Sequence, residues 1–391
     1  MFDKQQRAIE RINAYTQKNS KAYKKLRPQF DNLSNSANNI KNQQDYNDAM
    51  TQLRMATGIN GTEAEKMMTT YSNLGSKLKA TGVDVATSST EWLKQGKSIK
   101  QASALAENSI ILSKIGSLSS EDSTKYLTSA MKGYKVDKPD DVLGIVDKIS
   151  AVDMASATDV GGLAQGMSEV AANADLAGVS MSKLLGYLAT IGETTQEGMG
   201  SVGTSLNAVF SRMGNIKLSR LKDYQNESGE DLSDVETVLR GNKISLRDST
   251  GEFRNFGDTL TEVMGKWDKY GSVQQRAIAK AFAGTHHMND FIILMENSAK
   301  AQEYENVANN SSGSAMKKYD VYKDSLQGAT EGVKNEFQKL SSTVLDDGFL
   351  KTALSGVSSL IKGFNDLIST VGTVQSLLLG IGAIKLFSNL D

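Results

Sequence analysis

The sequence predicts an all-α protein: a compact bundle of short helices carrying one small β-hairpin, followed by long heptad-patterned helices. Three observations predict it. Only 2 Pro occur among 391 residues, so the main helix breaker is nearly absent, while Ala, Leu, Lys, Ser and Gln are plentiful. Apolar residues recur three and four positions apart through most of the chain, the period of a helix buried on one face. The 34 Gly fall mostly between these stripes, where Gly ends helices, and seldom inside them, where each costs about 1 kcal/mol.

Residues 1–57 read as a basic N-terminal helix and an amphipathic helical lead-in. The first 27 residues hold eight Lys or Arg against Asp3 and Glu10, which suits a solvated helix face or contact with an acidic partner, DNA or a membrane. Pro28 disfavours helix at Arg27 and sets a boundary there. Leu33, Ala37 and Ile40, then Tyr46, Met50 and Leu53, form the next stripe. Met1 to Gln17 lacks the apolar run of a signal peptide, which argues against secretion by the general pathway.

Residues 58–313 read as a core of short helices, with N-cap candidates at Thr62, Ser98, Ser120, Thr158, Ser180 and Ser272. The run Ser120 to Ser123 opens one helix with acids in its first turn, where they meet the positive end of the helix dipole. Leu163, Met167, Val170, Ala171 and Ala174 form one apolar face and Leu184, Leu185, Leu188 and Ile191 the next. A helical hairpin is expected there, with Ala164, Ala171 and Ala174 admitting a close approach. Between Ile244 and Phe256, Ile244 and Leu246 alternate with polar residues and Asp248 to Gly251 supplies turn chemistry. This predicts a small β-hairpin near 244–256, with Phe253 and Phe256 packed on helices.

Residues 314–391 read as long amphipathic helices. Ala315, Tyr319, Tyr322, Leu326, Ala329, Val333, Phe337, Leu340 and Val344 keep a spacing of three and four and predict one long helix. After Asp346, Asp347 and Gly348 the rhythm resumes at Leu350, Leu354, Val357, Ile361, Phe364 and Ile368 and continues to Ile381. Sustained heptads predict a coiled coil or a helical hairpin, and at about 1.5 Å per residue the stretch 314–387 would span roughly 100 Å unbroken. The candidate heptad face is thus Leu326, Val333, Phe337, Leu340, Val344, Leu350, Leu354, Val357, Ile361, Phe364 and Ile368. The most apolar stretch, 371–387, is a candidate membrane or partner-contact segment through Val371, Val374, Leu377, Leu378, Leu379, Ile381, Ile384 and Phe387. Gln375 and Lys385 interrupt it, and it is about three residues short of a comfortable span. A helix buried on Leu350 to Ile368 or on a partner chain is the competing reading.

No constellation for chemistry emerges, so no catalytic, metal or cofactor residue is assigned and a non-enzyme is expected. The 0 Cys exclude disulfides and thiolate chemistry. Gly198, Gly200 and Gly203 spell a dinucleotide fingerprint, but a helix precedes them where that motif needs a strand. Gly96, Lys97 and Ser98 resemble the end of a phosphate loop, but Glu91 stands where the pattern demands Gly. His286 and His287 are adjacent and diverge on a helix. No nucleophile elbow G-x-S-x-G occurs. Carboxylate pairs for glycan hydrolysis remain open in so acidic a sequence. Trp92 and Trp267 sit on amphipathic stretches and are expected in the core.

The order of elements from Ser156 to Phe282 carries a resemblance. Ser156 to Gly192 (SATDVGGLAQGMSEVAANADLAGVSMSKLLGYLATIG) gives a small-residue helix, a Gly-Val-Ser connection and a Leu-rich helix. Gly198 to Met213, Ile244 to Phe256 and Ala277 to Met295 (AIAKAFAGTHHMNDFIILM) follow. In order and spacing, over about Gly58 to Ile384, the chain resembles the core region of phage tail tape measure proteins. The resemblance implies a structural protein that helps set tail length during assembly inside the tail tube, after synthesis in the host cytoplasm. It further implies self-association, contact with the tail tube protein and tail assembly chaperones, no specific nucleic-acid site, and assistance to genome ejection through the host membrane. Members of that family usually continue well past this length, so a fragment or truncated member is expected. A helical membrane-perturbing or pore-forming protein, resting on 371–387, is the alternative, and a peptidoglycan hydrolase a weaker one.

Overall fold

Side-chain caps decide where the helices begin. The computed structural model describes residues 44–221, 238–250 and 254–343, with the backbone alone at 213–221, 326, 337 and 340–343. A first helix, α1, covers residues 44–57. Then follow α2 (Gly61–Lys77), α3 (Gly82–Lys94), α4 (Ile99–Gly116), α5 (Ser120–Gly133), α6 (Pro139–Ala155), α7 (Val160–Leu176), α8 (Met181–Thr195) and α9 (Met199–Leu221). The second half adds α10 (Phe256–Lys266), α11 (Ser272–Ala283), α12 (Met288–Glu296), α13 (Ser298–Asn309), α14 (Ser314–Lys323) and α15 (Leu326–Thr343). Ser98 and Ser180 accept from the N3 amides of α4 and α8, as the sequence predicts. Elsewhere a neighbouring acceptor takes the role: Asn60 two residues before Thr62, Ser119 one before Ser120, and Asp159 one after Thr158. Ser272 is the first helical residue of α11, and Gly271 precedes it.

The core is one apolar cluster running from Ala49 and Leu53 on α1 to Tyr322 on α14. Helix α7 lies at its centre, against α4, α5, α6, α8 and α9. Small residues set these approaches. A Cβ on Gly133 of α5 would lie 2.6 Å from the Ala171 Cβ, one on Gly203 of α9 would lie 2.5 Å from the Gly166 carbonyl oxygen, and one on Gly161 would lie 2.7 Å from the Gly116 carbonyl oxygen. The expected hairpin of α7 and α8 forms, joined through Gly178 at φ +74°. Ala171 of α7 serves α5 instead of α8, and Gly200 and Gly203, which resembled a nucleotide fingerprint, stand inside α9.

Rings close the second half of the body. Phe210, Phe256, Phe282 and Phe291 form a chain with centroids 5.9, 5.6 and 5.1 Å apart, and Trp267 stands edge-on to Phe291 at 6.2 Å. Such pairs add about 0.5–1.5 kcal/mol each beyond their burial. Trp92 is buried as expected and donates from Nε1 to Ser109 Oγ (3.1 Å).

Two expectations are corrected. Among the described residues none lies in a strand, so the β-hairpin near 244–256 is not supported, and residues 251–253 of that stretch lie outside the described residues. Ile244 and Leu246 are both buried, and Arg254 N donates to Leu246 O (2.9 Å). The alternation therefore marks two anchors of a loop, and Asp248 caps its turn by accepting from Thr250 N (2.8 Å). Phe256 opens α10 and packs as expected, whereas Phe253 lies outside the described residues. The second correction concerns 314–344, which is not one helix. It breaks between Lys323 and Leu326, because Ser325 Oγ accepts from Gly328 N (3.2 Å) as a fresh N-terminal cap. A Cβ on Gly328 would come within 2.4 Å of the Tyr322 carbonyl oxygen, so the chain turns tightly there.

Glu193 ties α8 to α13 and to the loop before α7. Its carboxylate accepts from Tyr304 Oη (2.7 Å) and Ala157 N (3.2 Å) and pairs with Lys300. Burial alone would raise its pKa, but hydrogen bonds from Lys300, Tyr304 and the Ala157 amide outweigh burial and hold it below the usual carboxylate range.

Gly203→Ala is expected to destabilise by about 1–3 kcal/mol, the usual range for overpacking. Gly144→Ala, in α6 with open space around it, is expected to stabilise by up to about 1 kcal/mol; urea unfolding of both variants checks the pair. Because Glu193 is depressed in the folded state, its contribution is whole above about pH 4.3, the ordinary glutamate value, and is lost as pH falls through the folded value. The stability gap between the wild type and Glu193→Gln is therefore expected to shrink on acidification below about pH 4.3, followed by melting temperature against pH.

Candidate functional site: a two-sided helix at the end of the body

Two tyrosines and one asparagine join the end of the described chain to its beginning. Tyr319 and Tyr322 on α14 stack at 5.7 Å between centroids. Their hydroxyls donate to the Leu78 and Lys79 carbonyl oxygens, the latter at 2.9 Å, in the loop between α2 and α3. Burial pushes both phenols above their ordinary range, so each is a neutral donor. Ahead of them, buried Asp147 on α6 accepts from Gly313 N and Ala315 N, both at 2.9 Å, and so caps α14. Lys318 pairs with Asp153 on the same helix.

Helix α15 then lies on α2 and α3 with its polar side inward. Asn335 is fully buried. Its Oδ1 accepts from Gly82 N (2.7 Å), and its Nδ2 donates to Ser72 O (3.0 Å) and Ser76 Oγ (2.8 Å). Ser76 Oγ donates in turn to Glu336 Oε1 (2.9 Å). At the edge, Lys114 of α4 stands 3.3 Å from Asp84 and 3.8 Å from Glu331. Gly82 lets α3 start close against α2, since a Cβ there would fall 2.4 Å from Ser72 Oγ. Among the described residues, none of α15 belongs to the apolar core.

The predicted heptad face is only partly within view. Leu326, Phe337 and Leu340 stand on the α15 backbone and Val333 is half-buried. Val344, Leu350, Leu354, Val357, Ile361, Phe364 and Ile368 lie outside the described residues, as do Val371, Val374, Leu377, Leu378, Leu379, Ile381, Ile384 and Phe387. The basic N-terminal helix lies outside them as well. Among the described residues no helix is long and apolar enough to cross a membrane. His286 and His287 stand in the turn before α12, and no group of metal-ligating side chains assembles among the described residues.

The sequence reading missed Asn335, Asp147 and Glu193, the three polar residues that fix the later helices to the body. A signal exists for the first: Gly328, Gly332, Asn335 and Gln338 recur at helical spacing and mark a small and polar face opposite the apolar one. Asn335→Ala is expected to leave Gly82 N–H and Ser72 O unpaired in a buried site, at about 1–3 kcal/mol for each orphaned group. Hydrogen exchange should then quicken across α15 while α14, held by Tyr319, Tyr322 and Asp147, keeps its protection.

No solved structure matches the chain. The family model described as phage-related minor tail protein matches residues 69–284, from within α2 to just past α11. That range is more than half of the sequence and takes in α7, the glycine contacts around it and three rings of the aromatic chain, Phe210, Phe256 and Phe282, so this chain belongs to the phage-related minor tail protein family.

Proposed function

We propose that this minor tail protein is a tape measure protein, which helps set tail length as tail tube subunits polymerise around it. The observation that carries the reading is α15. The family core is a packed body, and from its edge leaves a helix whose apolar positions continue in sequence with the same rhythm to Ile381. A length gauge needs repeated helix joined to an anchor, and these two parts stand in that order. The role is mechanical, so the protein works without catalysis or a cofactor. Its partners are further copies of itself, the tail tube protein and the chaperones that keep apolar helices dissolved before assembly, and its place is the lumen of the virion tail. The segment 371–387 meets the host membrane or a partner during genome ejection.

Helix rise makes the reading quantitative. An in-frame insertion of about 70 heptad-patterned residues after Ile368 is expected to lengthen tails by roughly 100 Å at about 1.5 Å per residue. Electron micrographs of particles carrying the inserted gene provide the measurement, and tails of unchanged length would overturn the proposal.

A further inference from the structure

A buried hydroxyl without a partner is costly, and natural interiors hold few of them. Tyr187 on α8 carries one: its surface is only 2% exposed, and its hydroxyl meets no hydrogen-bond partner among the described residues. Burial pushes this phenol above its ordinary range, and the carboxylates of Glu305 and Asp258 push it the same way, so it stands as a neutral donor. Tyr187 also lines a cavity of about 240 Å³ between α8, α10 and α13.

The walls of this cavity are close-packed and its lining is polar. A Cβ on Gly186 of α8 would fall 2.4 Å from the Ala301 carbonyl oxygen of α13, so the two helices are in backbone contact beside it. Lys183 Nζ of α8 donates to Thr261 Oγ1 of α10 (3.3 Å), and on α13 Gln302 Nε2 donates to Glu305 Oε2 (3.3 Å). Met264 adds the thioether of α10. The volume is below the roughly 300–1,000 Å³ of small-molecule sites and suits one side chain. A second concave strip, of about 470 Å³, runs along α13 past Gln302, Asn306 and Asn310. It offers a seat for the backbone that carries such a side chain.

The donors and acceptors of the cavity define what fits it. Tyr187 and Lys183 call for an acceptor, and Glu305 calls for a donor. A carboxylate would meet Glu305 and Asp258 as like charges. An ammonium would face Lys183 and offer Tyr187 no acceptor, and an apolar group would leave the Tyr187 hydroxyl orphaned. A carboxamide has both functions, an oxygen that accepts and an NH2 that donates. The chain already uses this group twice: the exposed Gln302 offers its amide to Glu305 through a long bond, and Asn335 docks α15 through its own.

We infer that the cavity between α8, α10 and α13 is a docking site for an Asn or Gln side chain of a partner protein, its oxygen accepting from Tyr187 and its NH2 replacing Gln302 on Glu305. The site stands whether or not the protein measures tails.

Methionine-methyl NMR of the full chain tests the site, with Met264 as the reporter in the cavity and M264L to assign its signal. The probes are the acetylated and amidated peptides Gly-Gln-Gly, Gly-Glu-Gly and Gly-Met-Gly. The Met264 methyl is expected to shift with Gly-Gln-Gly, which binds about tenfold more tightly than the other two, the worth of one hydrogen bond. Y187F is expected to lose that response and yet to melt no lower than the wild type, because it deletes an unpaired hydroxyl. E305A is expected to remove the preference for Gly-Gln-Gly over Gly-Glu-Gly while keeping its helical circular dichroism. A lower melting temperature for Y187F would mean that the hydroxyl is already bonded in the free protein, and would overturn the inference. So would an unmoved Met264, equal shifts from all three peptides, or a preference that survives in E305A.

Discussion

Backbone proximity around α7 is the constraint on which the rest of the body depends. Gly133 meets Ala171, Gly203 meets Gly166, and Gly161 meets Gly116, each too closely for one more carbon atom. A helix that must touch five others cannot surround itself with large side chains, since interiors are packed to crystal density and leave no slack. Bulk is displaced outward instead, to Trp92 among α3 and α4 and to the Phe210 to Phe291 chain around α9 to α12. The polar ties of Glu193 and Asp147 have meaning only because this body presents α6 and α8 at fixed positions to α13 and α14.

How much was legible in the sequence follows from what each residue competes with. Ser98 and Ser180 announced helix starts because no better acceptor stands beside them, whereas Thr158 lost to its neighbour Asp159. The faces of α7 and α8 read correctly since Leu163, Val170, Leu184 and Leu188 are all buried. Period alone cannot separate a strand from a loop with two anchors, and so Ile244 and Leu246 misled. It is equally blind to a break that preserves spacing: Leu326 follows Tyr322 by four residues, as in a continuous helix, although the two residues stand on different helices. Of the candidate site, the apolar stripe was visible in the sequence and the docking face was not, because Asn335 and Gln338 look like solvent-facing residues until Ser72, Ser76 and Gly82 arrive from far away in the chain.

The chain thus joins two kinds of cohesion. From α1 to α14 burial of apolar surface dominates, and large residues such as Leu53, Phe256 and Tyr319 share one cluster. From Leu326 onward the contact with the body is made by hydrogen bonds and an ion-pair fringe around Lys114. The family match, residues 69–284, lies within the first part and ends before α15 begins.

The polarity of the α15 contact has a thermal consequence. Exposure of apolar surface raises heat capacity and exposure of polar surface lowers it. Separating Asn335 and Glu336 from Ser72, Ser76 and Gly82 uncovers polar groups, so the heat-capacity change of detachment is small. The enthalpy and entropy of this join then vary little with temperature, so its strength changes almost linearly on heating, whereas the stability of the body follows the usual curved profile of an apolar core. A phage tail component fastened in this way is spared the loss of hold on cooling that a curved profile brings.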